Sequence, residues 1–242
     1  MAQKIRLDVL IFKRELTSSL NKSTALVMEG KVTVGGKIIT KPGFAVSESS
    51  EISIKESAEF VSRGGIKLKK ALEEFSICVK DKICLDVGAS TGGFTDCLLK
   101  NGAKKVYCVD VGYGVFDFKL RNNPQVVNIE KTNIRYFDKN LLKDEIDLAV
   151  VDVSFISLEK VLPKVKELVK KGGEIITLVK PQFEAPKGST QKGVVKDEKI
   201  RRQAIEKIKN FSKKIGLKLL GEIPSPIKGP KGNLEHFLYL KT

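Results

Sequence analysis

Four charged residues in this 242-residue chain stand beside apolar runs that would deliver them to one end of a sheet. Asp152 ends IDLAVVD, Lys180 follows EIITLV, Glu235 opens LEHFLYL, and Lys67 lies on the helical stretch 66-IKLKKALEEF. A charge after an apolar run is often only a solvent-facing terminus. Asp152 and Lys180 together carry more weight, because adjacent strand ends would set a carboxylate beside an ammonium. The carboxylate alone raises the lysine pKa, whereas a second ammonium and desolvation lower it.

The segment 85-LDVGASTGGFTD adds a ligand-binding turn. A strand ends at Asp86, glycines stand at 88, 92 and 93, and a helix begins near Phe94. This turn lets the backbone pass close to a ligand at the carboxyl end of the sheet. Ser90 replaces the middle glycine of GxGxxG, which argues against a nicotinamide or flavin pyrophosphate. Asp110 ends a second strand 24 residues after Asp86 and could accept both hydroxyls of an adenosine ribose. A tight turn with a helix-capping acid is the plainer alternative.

These residues need a sheet with helices on both faces. Short apolar runs at 83–88, 105–112, 125–130, 146–153 and 174–179 read as strands. Helices are expected at 66–75, 157–172 and 197–214, giving a largely parallel, doubly covered sheet. The last two runs, 217–223 and 234–240, suggest an antiparallel edge hairpin. The first 58 residues read as a separate unit: helix 6–16, helix 21–30 stopped by Gly30, a hairpin at Gly35-Gly36, and the strand SEISIKE. A connector at 59–65 and a second domain at 66–242 complete the expected organisation.

The chain carries 44 Lys+Arg against 29 Asp+Glu, a net charge of +15. Residues 1–60 and 61–155 each contribute only +2, and residues 156–242 contribute +11. The excess is expected in a lysine-rich loop and late helix around the site mouth, as a solvated face or a field for nucleic-acid phosphates. An acidic protein partner would also suit it. A single His, at 236, leaves little room for a His-rich metal centre, and none is expected. Four cysteines without a CxxC pair read as small buried thiols. No apolar run approaches the ~20 residues of a membrane span and no signal-peptide core is present, so a cytoplasmic protein without integral membrane association is expected.

The amino-terminal pieces RLDVLI, ALVMEGKVTVGGKIITKPG and SEISI resemble an S4 RNA-binding domain. DVGASTGGFT resembles motif I of S-adenosylmethionine-dependent methyltransferases, in particular the FtsJ-like RNA ribose methyltransferases. SRGGIKL, VVDVSFISL, LVKPQFE and GPKGNLEHFL resemble the blocks of the TlyA or haemolysin A-like branch. The resemblance implies an α/β fold, a Rossmann-like methyltransferase sheet preceded by an α+β S4-like domain. It implies S-adenosyl-L-methionine held by Asp86, Gly88, Ala89, Ser90, Gly92, Gly93, Phe94, Asp110 and Val111. Glu130 and Asn133 are implied at the adenine end. The Lys-Asp-Lys-Glu tetrad of the family falls on Lys67, Asp152, Lys180 and Glu235. Phe118 stands where this branch usually has tryptophan, and an aromatic contact is expected to persist there.

The activity implied is 2'-O-methylation of a ribose, on cytidine in 16S or 23S rRNA or both, within ribosomal subunits or assembly intermediates. Lys180 would stand nearest the 2'-hydroxyl, Asp152 would orient it, Lys67 would tune it by repulsion, and Glu235 would hold Lys67 or the ribose. RNA contacts are expected from Arg6, Lys13, Arg14, Lys22, Lys31, Arg63, Lys187, Lys192, Lys196, Arg201 and Arg202. The loop 181–197 is expected to be a mobile lid. A noncatalytic RNA-binding or ribosome-assembly protein and a membrane-active haemolysin are the alternatives.

Overall fold

The computed structural model describes residues 4–55 and 59–242. The expected domain end at residue 58 and Glu56 of the SEISIKE strand lie outside them. The chain divides into two compact units, residues 1–58 and 59–242.

In the first unit, β1 (Lys4–Arg6) leads directly into α1 (Leu7–Lys13) and α2 (Leu20–Met28). Four short strands follow: β2 (Val32–Val34), β3 (Lys37–Ile39), β4 (Ala45–Ser47) and β5 (Ile52–Ile54). The expected first helix is shorter than 6–16 because Glu15 takes a left-handed φ of 58°. Ser19 caps α2 by accepting from Lys22 N–H. Gly35 and Gly36 both have positive φ, the requirement of a tight two-residue hairpin, and they join β2 to β3 in antiparallel register. Leu7, Leu10, Ile11, Val27, Val32 and Val46 form the core.

The second unit runs α3 (Arg63–Glu74), β6 (Ile83–Val87), α4 (Gly93–Lys100), β7 (Lys105–Val109), α5 (Phe118–Arg121) and β8 (Val126–Ile129). It continues with β9 (Ile146–Val151), α6 (Leu162–Leu168), β10 (Val169–Val179), α7 (Pro181–Glu184), α8 (Glu198–Lys214), β11 (Lys218–Pro224) and β12 (His236–Lys241). The strands form one sheet in the order β11-β12-β10-β9-β6-β7-β8. β12 is antiparallel to both neighbours, and the pairs from β10 to β8 are parallel. Side chains of α3 and α4, such as Leu68, Leu72 and Leu98, pack on Cys84, Val106 and Leu148 of one face. Leu162 and Val165 of α6 and Ile208 of α8 pack on Leu85, Ala149 and Leu238 of the other. Burial on both faces is why these strands read as continuous apolar runs.

Two boundaries depart from the sequence reading. α3 begins at Arg63, where Ser62 caps it, so the expected connector is partly helical and Phe60 is buried. The expected helix 157–172 is broken into a single 3-10 turn at Leu158–Lys160, α6, and the first residues of β10. Pro163 sits in the first turn of α6, and Val169 already pairs with Ile146.

Candidate active site

Strand direction gathers the charged residues. β6, β9 and β10 are parallel, so the loops after Val87, Val151 and Val179 emerge at one end of the sheet. β12 runs the other way, and His236 pairs with Val179, so Glu235 enters at that same end. α3 packs against α4 and brings in Lys67.

There the four side chains form two ion pairs. Lys180 Nζ lies 2.6 Å from Asp152 Oδ1, and its well-aligned hydrogen bond goes to Ser154 Oγ at 2.9 Å. Lys67 Nζ lies 2.5 Å from Glu235 Oε2, with both side chains buried. Glu235 therefore engages Lys67, and each lysine has its own carboxylate. A buried pair of this kind is costly to break, since removing either partner strands the other charge.

Two cavities meet beside these pairs and share Gly88, Ser90 and Asp152. One, of about 360 Å³, is lined by Arg63, Lys67, Ala89, Gly93 and Phe94. The other, of about 450 Å³, is lined by Asp110, Val111, Asn133 and Phe155. Both volumes suit parts of a small ligand. The Asp110 carboxylate is fixed at the cavity edge by Ser90 N–H at 2.8 Å and Gly112 N–H at 2.6 Å. Each oxygen retains a lone pair for a hydroxyl. Asn133 Oδ1 caps the following 3-10 turn by accepting from Arg135 N–H.

The glycines serve packing as much as ligand access. A methyl group on Gly88, whose φ is +85°, would fall 2.5 Å from the Asp152 carbonyl oxygen. On Gly93 it would fall 2.1 Å from Ser62 Oγ, so Gly93 lets the starts of α3 and α4 touch. Gly92 lines neither cavity and faces Leu120 and Phe116. The aromatic contact under the loop thus comes from Phe116, while Phe118 is exposed.

Asp86 lies wholly buried beneath the loop, where Oδ2 accepts from Thr95 Oγ1 at 2.7 Å and Oδ1 has no hydrogen-bond partner. Burial pushes its carboxyl up to about 7, against the hydrogen bond from Thr95. Its partner within the chain is therefore a threonine hydroxyl, and it lines neither cavity. Glu130 is turned away as well: it pairs with Arg121 at 2.6 Å, accepts from Gly114 N–H, and does not line the cavity of Asp110. His236 is half-buried, its Nε2 has no partner, and burial lowers its pKa.

Two site residues escaped the sequence reading. Ser154 holds Lys180. Phe155 is 91% exposed in the cavity wall, has a left-handed φ of 62°, and rests on Phe183 at 5.1 Å between ring centroids. A strained, exposed aromatic beside a polar pair is a platform for a flat ligand. Ser154 and Phe155 both lie in VVDVSFISL, the stretch after β9 whose resemblance to a family block was the one signal for them.

Many basic candidates are engaged within the chain. Arg6 pairs with Asp8, Lys13 with Glu48 and Lys31 with Glu29, while Arg14 donates to the carbonyls of Glu48 and Ser50. Lys22 is exposed and makes no ion pair among the described residues. Arg63 donates to Lys228 O at 2.5 Å and still lines the cavity of Lys67. Lys187, Lys192 and Lys196 are exposed, Arg202 pairs with Glu198, and Arg201 donates to Val195 O and Lys196 O. The expected lid is tied at both ends. Glu184 accepts from Ser157 Oγ and Leu158 N–H, and Val195 N–H donates to Asn233.

Only part of the positive charge of the last third stands at the site end, where Lys180, Lys187, Lys192, Lys196 and Lys228 follow or face the loops of the cavities. Lys170 and Lys171 begin β10, Lys218 begins β11, and Lys241 ends the antiparallel β12 opposite Glu174 and Lys218. They lie at the far end of the sheet, with Lys213 and Lys214 at the end of α8. Three of the four cysteines are buried; burial raises Cys84 and Cys97 to about 12.

Residues 60–242 match the family model of the FtsJ-like methyltransferases, and residues 5–52 match that of the S4 domain. The chain is 41% identical to the 16S/23S rRNA (cytidine-2'-O)-methyltransferase TlyA of Mycobacterium tuberculosis, over 100% of this chain and 91% of that protein. It is 43% identical to Hemolysin A of Brachyspira hyodysenteriae, over 97% and 99% of the two chains. A solved Streptococcus thermophilus protein, provisionally named a hemolysin, superposes with a TM-score of 0.76 at 39% identity, covering 100% of this chain and 90% of the other.

Proposed function

This chain belongs to the FtsJ-like methyltransferase family, and we propose that it methylates the 2'-hydroxyl of a cytidine ribose in rRNA, using S-adenosylmethionine. The observation that carries this reading is Asp152, which lines both cavities and holds Lys180, itself outside both linings, at 2.6 Å. The kinship with a 16S/23S rRNA (cytidine-2'-O)-methyltransferase supports the substrate class.

The residues present fit S-adenosylmethionine. Asp110 offers a fixed carboxylate for ribose hydroxyls, and Asn133 stands farther along the same wall. Gly88, Ala89 and Ser90 present backbone where the cavities join, and Asp86 holds a buried, unpartnered oxygen below them. When bound, the cofactor supplies a methyl group already activated by a positively charged sulfur.

The chain's task is then alignment and management of one proton. Lys180 stands nearest the ribose hydroxyl, holds its oxygen by hydrogen bonding, and in its uncharged form takes the proton. Asp152 and Ser154 fix the Lys180 amine from two directions, and the Asp152 carboxylate complements positive charge in the shared wall. Lys67, anchored by Glu235, steadies the nucleotide from the opposite side. Phe155 stacks on the nucleobase. The S4 unit, taken as residues 1–58, supplies a second grip on folded RNA, with Lys22 the candidate left free for phosphate. None of the described helices is long and apolar enough to cross a membrane.

Tritiated-methyl transfer from S-adenosylmethionine to undermethylated ribosomal subunits tests this reading. Incorporation into rRNA of either subunit supports it. Cofactor binding with no incorporation would instead favour a noncatalytic RNA-binding role.

A further inference from the structure

The turn beside Glu235 is closed by its own backbone and joined to a neighbouring segment by one buried side chain. Gly229 N–H donates to Asn233 O at 2.9 Å, and Gly232 N–H donates to Gly229 O at 2.8 Å. Pro230 of this turn lines the cavity of Lys67. A methyl group on Gly229 would fall 2.4 Å from Glu235 Oε1. That oxygen is buried without a hydrogen-bond partner, whereas Oε2 is engaged by Lys67. The carboxylate is therefore directed by Lys67 on one side and by the backbone of the turn on the other.

Asn233 is only 3% exposed, yet its side chain bonds outside the turn. Nδ2 donates to Gly193 O at 2.8 Å, and Oδ1 accepts from Val195 N–H at 3.0 Å. Both groups belong to the segment that carries the exposed Lys192 and Lys196. A buried amide satisfied at both ends is a rigid link, and its loss leaves buried backbone groups unpaired.

We propose that Asn233 is a positioning residue for methyl transfer: its amide locks the lysine-bearing segment 192–196 to the Gly229 turn, and the turn holds Glu235 against Lys67. The inference rests on the proposed rRNA methyltransferase activity. RNA phosphates engaged by Lys192 and Lys196 thereby bear on the Lys67–Glu235 pair through two hydrogen bonds.

The test compares Asn233→Ala, Glu235→Gln and the double variant. It measures kcat and KM for undermethylated subunits, S-adenosylmethionine affinity by calorimetry, and folding by far-UV circular dichroism. Misplacing a catalytic group by about 1 Å costs up to ~100-fold, so Asn233→Ala is expected to lose ~10- to 100-fold in kcat with cofactor affinity within ~2-fold of wild type. The double variant should be no slower than Glu235→Gln alone, because both changes act on one carboxylate. Losses that multiply, an effect confined to KM, or full kcat in Asn233→Ala would each overturn the proposal. Should Asn233→Ala fail to fold, Gly229→Ala displaces the same carboxylate from the turn, and a normal kcat there is equally decisive against it. A wild-type chain that methylates neither subunit overturns the functional reading and this inference together. An active wild type with an unimpaired Asn233→Ala overturns the inference alone.

Discussion

Asp86→Asn should make this protein's stability less sensitive to alkali. The Asp86 carboxyl is fully buried with one oxygen unpartnered, and burial raises its pKa from 3.8 to about 7. Below pH 4 it is protonated in folded and unfolded chains alike and imposes no ionisation cost. Between pH 4 and 7 the unfolded chain releases the proton and the folded chain keeps it, so folding stability falls as pH rises. Above pH 7 the full penalty is reached, about 4 kcal/mol at ~1.4 kcal/mol per pKa unit. Asparagine cannot ionise, and its oxygen can still accept from Thr95 Oγ1. Its amide nitrogen takes the unpartnered position at a cost of about 1–3 kcal/mol, so the net gain at pH 8 should be about 1–3 kcal/mol. Urea unfolding of both proteins at pH 4.5, 6 and 8, followed by far-UV circular dichroism, measures the difference while other titrations cancel. The advantage of the variant should grow with pH by a few kcal/mol. A difference that stays flat across the range would refute the buried, raised carboxyl.

Three further substitutions separate chemistry from scaffold. Lys180→Ala removes the amine held by Asp152 and Ser154 and should lower single-turnover methyl transfer by ~100-fold or more, with calorimetric cofactor affinity within a few-fold; full transfer would contradict its role. Gly93→Ala places a methyl group 2.1 Å from Ser62 Oγ and should cost about 1–3 kcal/mol by overpacking. Thermal unfolding should then shift down by roughly 2–10 °C, and an unchanged midpoint would show that the two helix starts do not meet as described. Phe155→Ala should reduce kcat/KM for rRNA by roughly 5- to 150-fold, the worth of one stacked base, without altering cofactor affinity. An unaffected kcat/KM would remove Phe155 from the substrate site.

The sheet and the placement of the charges were legible in the sequence for a common reason. Strands buried on both faces read as short apolar runs, and parallel direction sends Asp152 and Lys180 out at one end. Glu235 joins them because β12 runs antiparallel, which the close spacing of the last two strands suggested. The pairing was less visible. Nothing in residue order tells whether Glu235 faces Lys67 or a ribose, or that Glu130 is taken by Arg121 across a turn. Residue type alone did not show that Gly92 and Gly93 also serve packing, against Leu120 and Phe116 for the first and Ser62 for the second, while Gly93 still lines a cavity. Linear charge located only part of the basic surface. A 17-residue helix spans about 25 Å, so a basic stretch that starts near Lys196 ends at Lys213 and Lys214, by the far end of the sheet. Asn233 stands in the block GPKGNLEHFL, yet nothing there showed its role, because its partners, Gly193 and Val195, lie some forty residues away.

The central claim is that the Lys180–Asp152 pair directs a methyl group to a ribose oxygen. It is tested most directly by mapping the modified nucleotide after transfer to undermethylated 30S and 50S subunits. A 2'-O-methyl group blocks attack on the adjoining phosphodiester, so alkaline hydrolysis should leave a new labelled resistant linkage, 3' of a cytidine, in each rRNA that is modified, and Lys180→Ala should add none. Label recovered on a nucleobase or on protein, or an equally resistant linkage made by Lys180→Ala, would contradict it.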